Sequence, residues 1–256
     1  MSVMTLDKQA ARTGVGAGGL LIVAFLAGCN TDPTTNSGDD FEGMNRAFYN
    51  FNDGLDRHII KPVAEEYVKV TPQIIRTGVT HFFDNMGYPN VIANDILQGK
   101  LKQAWDDTGR FITNSTIGIG GLFDPASGSG LIKHDEDLGQ TFGKWGAGEG
   151  AYLVLPLAGP NSVRDAPDLF TSALLSPLYY ASFAVTFPVG ALNAINTRAN
   201  LLDATRIRDE AALDPYSFTR EAYRQNRIYK IYDGNPPVKV EEENLDQGET
   251  GVLHVY

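Results

Sequence analysis

A stretch of 29 residues, 169–197, carries no charged side chain and limits how this chain can fold more than any other feature. A helix of about 20 apolar residues is long enough to cross a membrane. We expect Pro177 and Pro188 to break such a helix twice, and polar residues also interrupt the run. Backbone groups in open hydrocarbon need internal hydrogen-bond partners. The pattern favours helices that lie against protein, line a cavity wall or dip into one leaflet. Two buried core helices are the alternative.

Cys29 is the only cysteine, and it follows Leu-Ala-Gly at the end of a short apolar run. Basic residues precede an uncharged segment, 15–26, as in a secretory signal. This segment is too short to span a bilayer. The sequence therefore predicts a lipoprotein signal peptide at 1–28 and lipidation of Cys29. The alternative is an uncleaved apolar tail with an incidental cysteine.

Composition divides the remaining chain into three parts. Residues 29–40 are polar and predict a lipidated flexible tether, and residues 41–234 predict one helical domain. Residues 235–256 form an acidic tail that we expect to be disordered. The net charge of −10, without a basic stripe, argues against nucleic acid as a partner.

Helical periodicity dominates residues 41–234. A glycine-rich segment, 118–150, predicts loops and turns with one short helix at 135–142. Residues 152–157 are expected to be extended, and 161–165 resemble an N-capped helical turn. On the last helix, the charged residues are expected to form a solvated face: Arg220, Glu221, Arg224, Arg227 and Lys230. The fold class predicted is mainly α, with short helices and little or no β structure. The expected helices outside 169–197 are 41–59, 62–70, 72–87, 89–97, 100–117, 135–142, 198–212 and 215–232.

Motifs for enzyme chemistry are sparse. The run 134–137, His-Asp-Glu-Asp, has ligand chemistry for a cation, but a solvated loop is the simpler interpretation. The run 118–121, Gly-Ile-Gly-Gly, follows a helix, whereas a dinucleotide-binding turn follows a strand. Ser115 and Ser162 are candidate nucleophiles without a base nearby in sequence. We therefore expect no catalytic residues, no metal and no cofactor.

A lipid-anchored, non-basic helical domain with an apolar face is suited to lie in the plane of a membrane. Leu178, Phe183 and Phe187 are the candidates to face lipid. A polar or amphipathic cavity inside such a domain would allow a lipid headgroup to pass.

Several strings of residues resemble the MlaA (VacJ) family of outer-membrane lipoproteins, from about Phe41 to Gly234. The most specific string is 137–143, Asp-Leu-Gly-Gln-Thr-Phe-Gly. Further matching strings are Phe-Glu-Gly-Met-Asn-Arg at 41–46, Leu-Gln-Gly-Lys at 97–100, Asn-Ser-Thr at 114–116 and Asp-Pro-Tyr at 214–216.

The resemblance implies a compact helical ring in the inner leaflet of the outer membrane, with an amphipathic channel and no catalysis. It implies three partners: phospholipid, a trimeric porin and a periplasmic lipid-carrier protein. It also implies that Asn50, Phe51 and Asn52 control the channel. A flexible loop beside the channel would contain Gly118, Gly120, Gly121 and Asp124.

Two other functions remain open from the sequence. One is a structural lipoprotein that scaffolds a porin without moving lipid. The other is a periplasmic lipid hydrolase that uses Ser115 or Ser162.

Overall fold

The computed structural model describes residues 39–237, and this part of the chain is mainly helical, as predicted. The predicted signal peptide, Cys29, most of the tether and the tail from 238 lie outside the described residues. The first five helices are α1 (Glu42–Leu55), α2 (Lys61–Val70), α3 (Gln73–Leu97), α4 (Leu101–Thr116) and α5 (Pro125–Gly128). The other five are α6 (Leu138–Lys144), α7 (Pro167–Leu175), α8 (Phe183–Asn200), α9 (Leu202–Ala211) and α10 (Pro215–Ile231).

Strands β1 (Tyr152–Leu155) and β2 (Gly159–Ser162) form an antiparallel hairpin in which Tyr152 lies opposite Ser162. The extended segment predicted at 152–157 is thus confirmed for β1. The helical turn predicted from Asn161 is wrong for its first two residues, because Asn161 and Ser162 complete β2. The capping chemistry is nevertheless present, since Ser162 Oγ accepts a hydrogen bond from Asp165 N at 3.2 Å.

The backbone groups on the outer edge of β1 form hydrogen bonds with a side chain of α1. Asn45 Oδ1 accepts from Val154 N at 2.8 Å, and Asn45 Nδ2 donates to Tyr152 O at 2.9 Å. The amide thus imitates a neighbouring strand on backbone groups that would otherwise be buried without partners. Asn45 Nδ2 also donates to Asp39 Oδ1 at 2.9 Å. Asp39 is buried, so the folded domain begins inside the segment predicted as a tether.

Helices α1 to α4 follow the predicted order with one correction. A π-helical turn, Asp56–Ile60, joins α1 to α2 without a break. Two helices were expected on either side of Pro89, but α3 runs through this residue. An internal proline costs about 3 kcal/mol. Its neighbours Tyr88 and Asn90 are buried, so packing of α3 offsets this cost.

The uncharged stretch forms α7, a 3₁₀ turn at Pro177–Tyr180 and most of α8. Pro177 breaks the helix as predicted. Pro188 does not, because it lies in the second turn of α8 and removes only the bond to the carbonyl of Ala184. The helix predicted at 198–212 is divided at Leu201, between α8 and α9.

Helix α10 closes the domain through buried Arg220 and Arg227, so the predicted solvated face is wrong for these two residues, whereas Glu221 is exposed. Arg227 Nη2 donates to Asp137 Oδ1 at 2.8 Å and to Asp165 Oδ1 at 3.1 Å. These contacts hold α10 against α6 and the segment after β2. Burial alone raises the pKa of Asp137 and Asp165, but their hydrogen bonds, including those from Arg227 and Arg164, lower it overall. Gly139 lies so close to Asp165 and Arg227 that a Cβ would collide with both side chains.

We expect Asn45→Ala to lower the melting temperature of the protein in detergent by about 5–10 °C. The variant leaves buried Tyr152 O and Val154 N without partners, at a cost of roughly 2–4 kcal/mol. Thermal unfolding followed by circular dichroism measures the shift. Gln225→Ala, at an exposed position of α10, is the matched control and should change the melting temperature by less than about 2 °C. An equally small shift for Asn45→Ala would show that its hydrogen bonds to β1 do not stabilise the protein.

Candidate functional site

The described part of the protein exposes many large apolar side chains. Nine of them lie within residues 169–192, on α7, the 3₁₀ turn and α8. They are Leu169, Phe170, Leu175, Tyr179, Tyr180, Phe183, Val185, Phe187 and Leu192. Soluble monomers rarely expose a contiguous apolar patch beyond a few hundred Å². This surface is therefore a candidate contact with lipid or with another protein.

Two buried core helices, the alternative from the sequence, are excluded. Phe183 is 77% exposed and Phe187 is 65% exposed, whereas Leu178 is only partly exposed. No apolar residue of α7 is buried, and the buried residues of α8 are Asn196 and Ala199. Among residues 39–237, no helix combines the length and the apolar character needed to cross a bilayer.

The interior has the opposite character. A small aromatic cluster packs Tyr152, Val154 and Tyr216 together. Most other buried side chains in the described residues are polar or charged. Examples are Asn85, Asn94, Asp95, Asp107, Arg110, Asn114, Gln140 and Thr141. Such groups must be paired when they are buried. An apolar exterior around a polar interior is the arrangement expected of a protein whose surroundings include hydrocarbon.

Arg110 organises the loop after α4. Its side chain donates to Tyr88 Oη at 2.6 Å, Ser127 Oγ at 3.1 Å and Asp124 Oδ2 at 2.7 Å, and also to the carbonyl of Leu131. Burial alone would raise the pKa of Asp124. Hydrogen bonds from Ser127, Asn114 and Arg110 instead lower it to about 2. Asp124 is thus ionised and holds the side chains of Arg110 and Asn114 in place.

The glycines predicted to make this loop flexible have tighter roles. A Cβ at Gly118 would collide with the backbone of Phe123 and Asn114, and one at Gly121 with the side chain of Asn85. Gly121 also has a φ of +91°. Only Gly120 has open space around it, although its φ is also positive. Gly118 and Gly121 therefore lie in a closely packed turn that has no room for a side chain at either position.

The predicted channel-control residues lie on α1 near the hairpin. Asn50 and Phe51 are exposed. Asn52 Nδ2 donates to Leu155 O at 2.9 Å, and Asn52 Oδ1 accepts from Leu157 N at 2.8 Å. Leu157 is 75% exposed and has a φ of +64°, which is unfavourable for a residue with a Cβ. Asn52 thus holds the hairpin turn in a strained conformation with an apolar side chain pointing outward.

An ion pair connects α8 to the π-helical turn that follows α1. Arg198 Nε and Nη2 donate to the two carboxylate oxygens of Asp56 at 2.6 and 2.9 Å. Arg198 Nη1 donates to Thr205 Oγ1 at 3.1 Å. A bidentate pair of this kind fixes orientation as well as distance. Helix α8 is thereby attached to the π-helical turn that directly follows α1, the helix of Asn52.

The structure does not join the three predicted groups of site residues directly. In the described part of the chain, no hydrogen bond or ion pair links residues 50–52, 118–124 and 178–187 to one another. Helix α3 contacts the 118–124 loop and the carboxyl-terminal part of α8, outside residues 178–187. Its Gly78 approaches the carbonyl of Leu122, and its Thr80 contacts α8.

The enzyme candidates lack a catalytic arrangement. Ser115 Oγ accepts from Asn85 Nδ2 at 2.9 Å, and Ser162 is fully buried. The four side chains of the run 134–137 each contact a different charged residue. In order, these are Asp107, Lys230, Lys100 and Arg227. In residues 39–237, no group of three potential ligands is placed to hold a metal ion.

A buried acid pair was missed by sequence reasoning. Asp95 and Asp107 are fully buried, and Asp95 Oδ2 and Asp107 Oδ1 have no hydrogen-bond partner among the described residues. Burial, and then the charges of Asp107 and Glu136, raise the pKa of Asp95 to about 8. Asp107 also binds His134 Nδ1 at 2.9 Å. Two neighbouring buried carboxylates would repel each other if both were ionised, which favours the protonated form of Asp95.

Other site residues were missed for different reasons. Asn45 lies seven residues before the predicted channel-control residue Asn52, so its place on the same helical face could have been read from the sequence. Arg110 and Arg198 gave no local signal, because their partners are distant in sequence.

The family model and the similar proteins point to the same family. Residues 37–230 match a family model described as MlaA lipoprotein. An Escherichia coli (strain K12) protein named "Intermembrane phospholipid transport system lipoprotein MlaA" is 34% identical over 233 residues, covering 86% of this chain and 92% of that protein. A Haemophilus influenzae protein with the same name is 31% identical over 231 residues, covering 84% of this chain and 89% of its own.

A solved structure is also similar. It comes from work on the structural basis for maintenance of bacterial outer membrane lipid asymmetry, and its TM-score is 0.67 at 32% sequence identity. The match covers 77% of this chain and 99% of that chain. The helical fold class is therefore shared with a solved relative.

We expect the stability of the protein to fall as the pH rises from about 4 to about 8. The folded protein keeps the Asp95 proton up to about pH 8, whereas an unfolded aspartate loses its proton near pH 4. The folded state therefore binds more protons in this interval, and raising the pH favours unfolding. Asp95→Asn should remove this dependence and melt about 5 °C above the wild type at pH 8 but not at pH 4.

Melting temperatures measured from pH 4 to 8 test this expectation. Asp203→Asn changes an exposed carboxylate and should follow the wild-type curve. Parallel curves for Asp95→Asn and the wild type would show that the acid pair holds no extra proton.

A probe at position 183 should report contact with acyl chains. We expect a fluorophore on Phe183→Cys, in the full-length chain in phospholipid vesicles, to be quenched by brominated acyl chains at least about threefold more than the same probe on Asp203→Cys. The physical reason is that burying an exposed apolar surface in hydrocarbon is favourable, whereas burying an unpaired charge is costly. Equal quenching at the two positions would contradict contact between α8 and lipid.

Proposed function

Because the chain belongs to the MlaA lipoprotein family, we propose that it transports phospholipid between the membranes of the cell envelope. In this proposal it removes mislocalised phospholipid from the outer leaflet of the outer membrane and passes it to a periplasmic carrier protein. The names of its relatives and the subject of the similar solved structure support this general role. The single structural observation that carries it is the apolar exterior around a polar interior.

This polarity suits the movement of a lipid. Acyl chains need apolar surroundings, and a charged headgroup placed in hydrocarbon without partners would cost many kcal/mol. A domain that presents apolar helices outward and polar groups inward can stay in one leaflet while a headgroup passes through a polar path.

The placement we propose uses two membrane contacts. Acyl chains on Cys29 would anchor the protein in the inner leaflet of the outer membrane on the periplasmic side, since two or more chains give stable attachment. The exposed side chains of α7 and α8 would supply the second contact. A trimeric porin would be the partner within the membrane.

Residues 50–52 are proposed to control the path through the hairpin. Asn52 holds Leu157 in its strained turn, so the conformation of the turn depends on α1. Strained residues are often found at gates and clamps. Asp124 and the turn at 118–121 are proposed to form a fixed wall beside the path, anchored by Arg110.

Two alternatives make different predictions. A scaffold that binds a porin without moving lipid would leave the lipid composition of the outer leaflet unchanged when the gene is deleted. A lipid hydrolase would need a nucleophile, and Ser115 has no base or acid within hydrogen-bonding distance in the described part of the protein.

We expect deletion of the gene to raise outer-leaflet phospholipid at least about twofold, and the wild-type gene to restore the normal level. Asn52→Ala should fail to restore it, because Leu157 N and Leu155 O lose their partner. Labelling of surface phospholipid with a membrane-impermeant reagent measures the outcome.

The same complementation test separates the alternatives. Asn235→Ala changes an exposed asparagine far along the chain and should restore the normal level. Ser115→Ala should also restore it, whereas a hydrolase that uses Ser115 would lose activity. No rise in surface phospholipid after deletion would exclude transport and favour the scaffold.

A further inference from the structure

Among residues 39–237, Arg76 has no carboxylate partner. It lies on the first turn of α3, and no ion pair joins it to any residue between 39 and 237. Its Nη2 donates to Gln73. Its Nε is buried and meets no acceptor among the described residues. A buried N–H without an acceptor costs free energy. The Arg76 residue as a whole is only half-buried, so its guanidinium group is open to an acceptor from outside these residues.

Neutral polar groups from three helices lie next to this arginine. Tyr67 Oη on α2 donates to Asn196 Oδ1 at 3.2 Å, and Asn196 Nδ2 donates to Thr80 Oγ1 at 2.8 Å. Thr80 Oγ1 in turn donates to the carbonyl of Arg76 at 3.0 Å. Asn200 Nδ2 also donates to Thr80 Oγ1, at 3.1 Å.

The charge of Arg76 acts on this network. Burial raises the pKa of Tyr67, and the positive charge of Arg76 opposes that rise. The guanidinium group is therefore close enough to the Tyr67 hydroxyl to influence it. The network keeps the hydroxyl and amide groups of α2, α3 and α8 in fixed positions beside an unneutralised positive charge.

The surroundings of Arg76 are apolar. Val70, the last residue of α2, is 76% exposed, and in the first turn of α3 Ile74 is 73% exposed and Ile75 is also exposed. An arginine beside exposed apolar side chains is typical of the level of a membrane where phosphate groups lie, because its stem covers apolar surface while its head stays polar. Guanidinium groups bind phosphate through two parallel hydrogen bonds.

We propose that Arg76 binds a phosphate group at the junction of α2, α3 and α8, with the Tyr67–Asn196–Thr80 network holding the three helices around it. The ligand is a phosphate group, either the phosphate ester of a phospholipid headgroup or free inorganic phosphate. As a site for a lipid headgroup, this inference rests on the proposed function. Arg76 is then the residue that recognises the charged end of the transported lipid.

Binding of dioleoylphosphatidylglycerol to the full-length protein in detergent tests the proposal. We expect Arg76→Gln to weaken binding at least about tenfold, as for loss of a charge-assisted hydrogen-bonded pair. Arg76→Lys keeps the charge but not the paired geometry and should bind with intermediate affinity. Dioleoylglycerol has the same acyl chains without phosphate, so the wild type and Arg76→Gln should bind it equally.

Matched variants and ligands make each outcome decisive. Arg206→Gln removes an exposed arginine of α9 and should bind phospholipid like the wild type. If millimolar inorganic phosphate competes with the lipid, phosphate alone fills the site. If it does not compete, the site is specific for the lipid headgroup. Equal binding by Arg76→Gln and the wild type would overturn this site while leaving the proposed function intact. A wild-type protein that binds no phospholipid would overturn both.

Discussion

Pairing of polar groups in the interior is the constraint on which the rest of the structure depends. Because the large apolar side chains of α7 and α8 lie outside, apolar burial alone cannot hold the helices together. Hydrogen bonds and ion pairs take that role: Asn45 binds α1 to β1, Arg110 binds α4 to the loop before α5, and Arg227 binds α10 to α6. Each arginine or amide contacts two or more partners, so removing one would leave several buried groups unpaired.

The same constraint explains how an apolar surface is kept in position. Helices α7 and α8 have almost no buried apolar residues with which to anchor themselves. Instead, polar residues near the carboxyl-terminal end of α8 make the attachment. Asn196 bonds to α2 and α3, and Arg198 forms a bidentate pair with Asp56. The apolar part of α8 can thus face lipid while its polar end is fixed to the domain.

Sequence reasoning predicted the helical class and most of the helices, because periodicity and prolines are local signals. It failed where a local signal was outweighed by distant contacts. Pro89 looked like a helix boundary, yet α3 continues because its neighbours are buried. Arg227 looked solvated because its partners, Asp137 and Asp165, are 90 and 62 residues away. The acid pair Asp95–Asp107 was invisible for another reason, since neither residue type nor spacing reveals that two carboxyl groups are buried together.

Position along the helix explains why the prolines behave differently. Pro177 lies where α7 has already ended, after Leu175, and it begins a 3₁₀ turn with Ser176 as its cap. Pro188 lies within the second turn of α8, where one backbone hydrogen bond is lost and the rest of the helix continues. The result is a short helix, a sharp turn and a longer helix. Because it is divided in this way, the run of 29 uncharged residues does not form one straight helix, which would be about 43 Å long at 1.5 Å per residue.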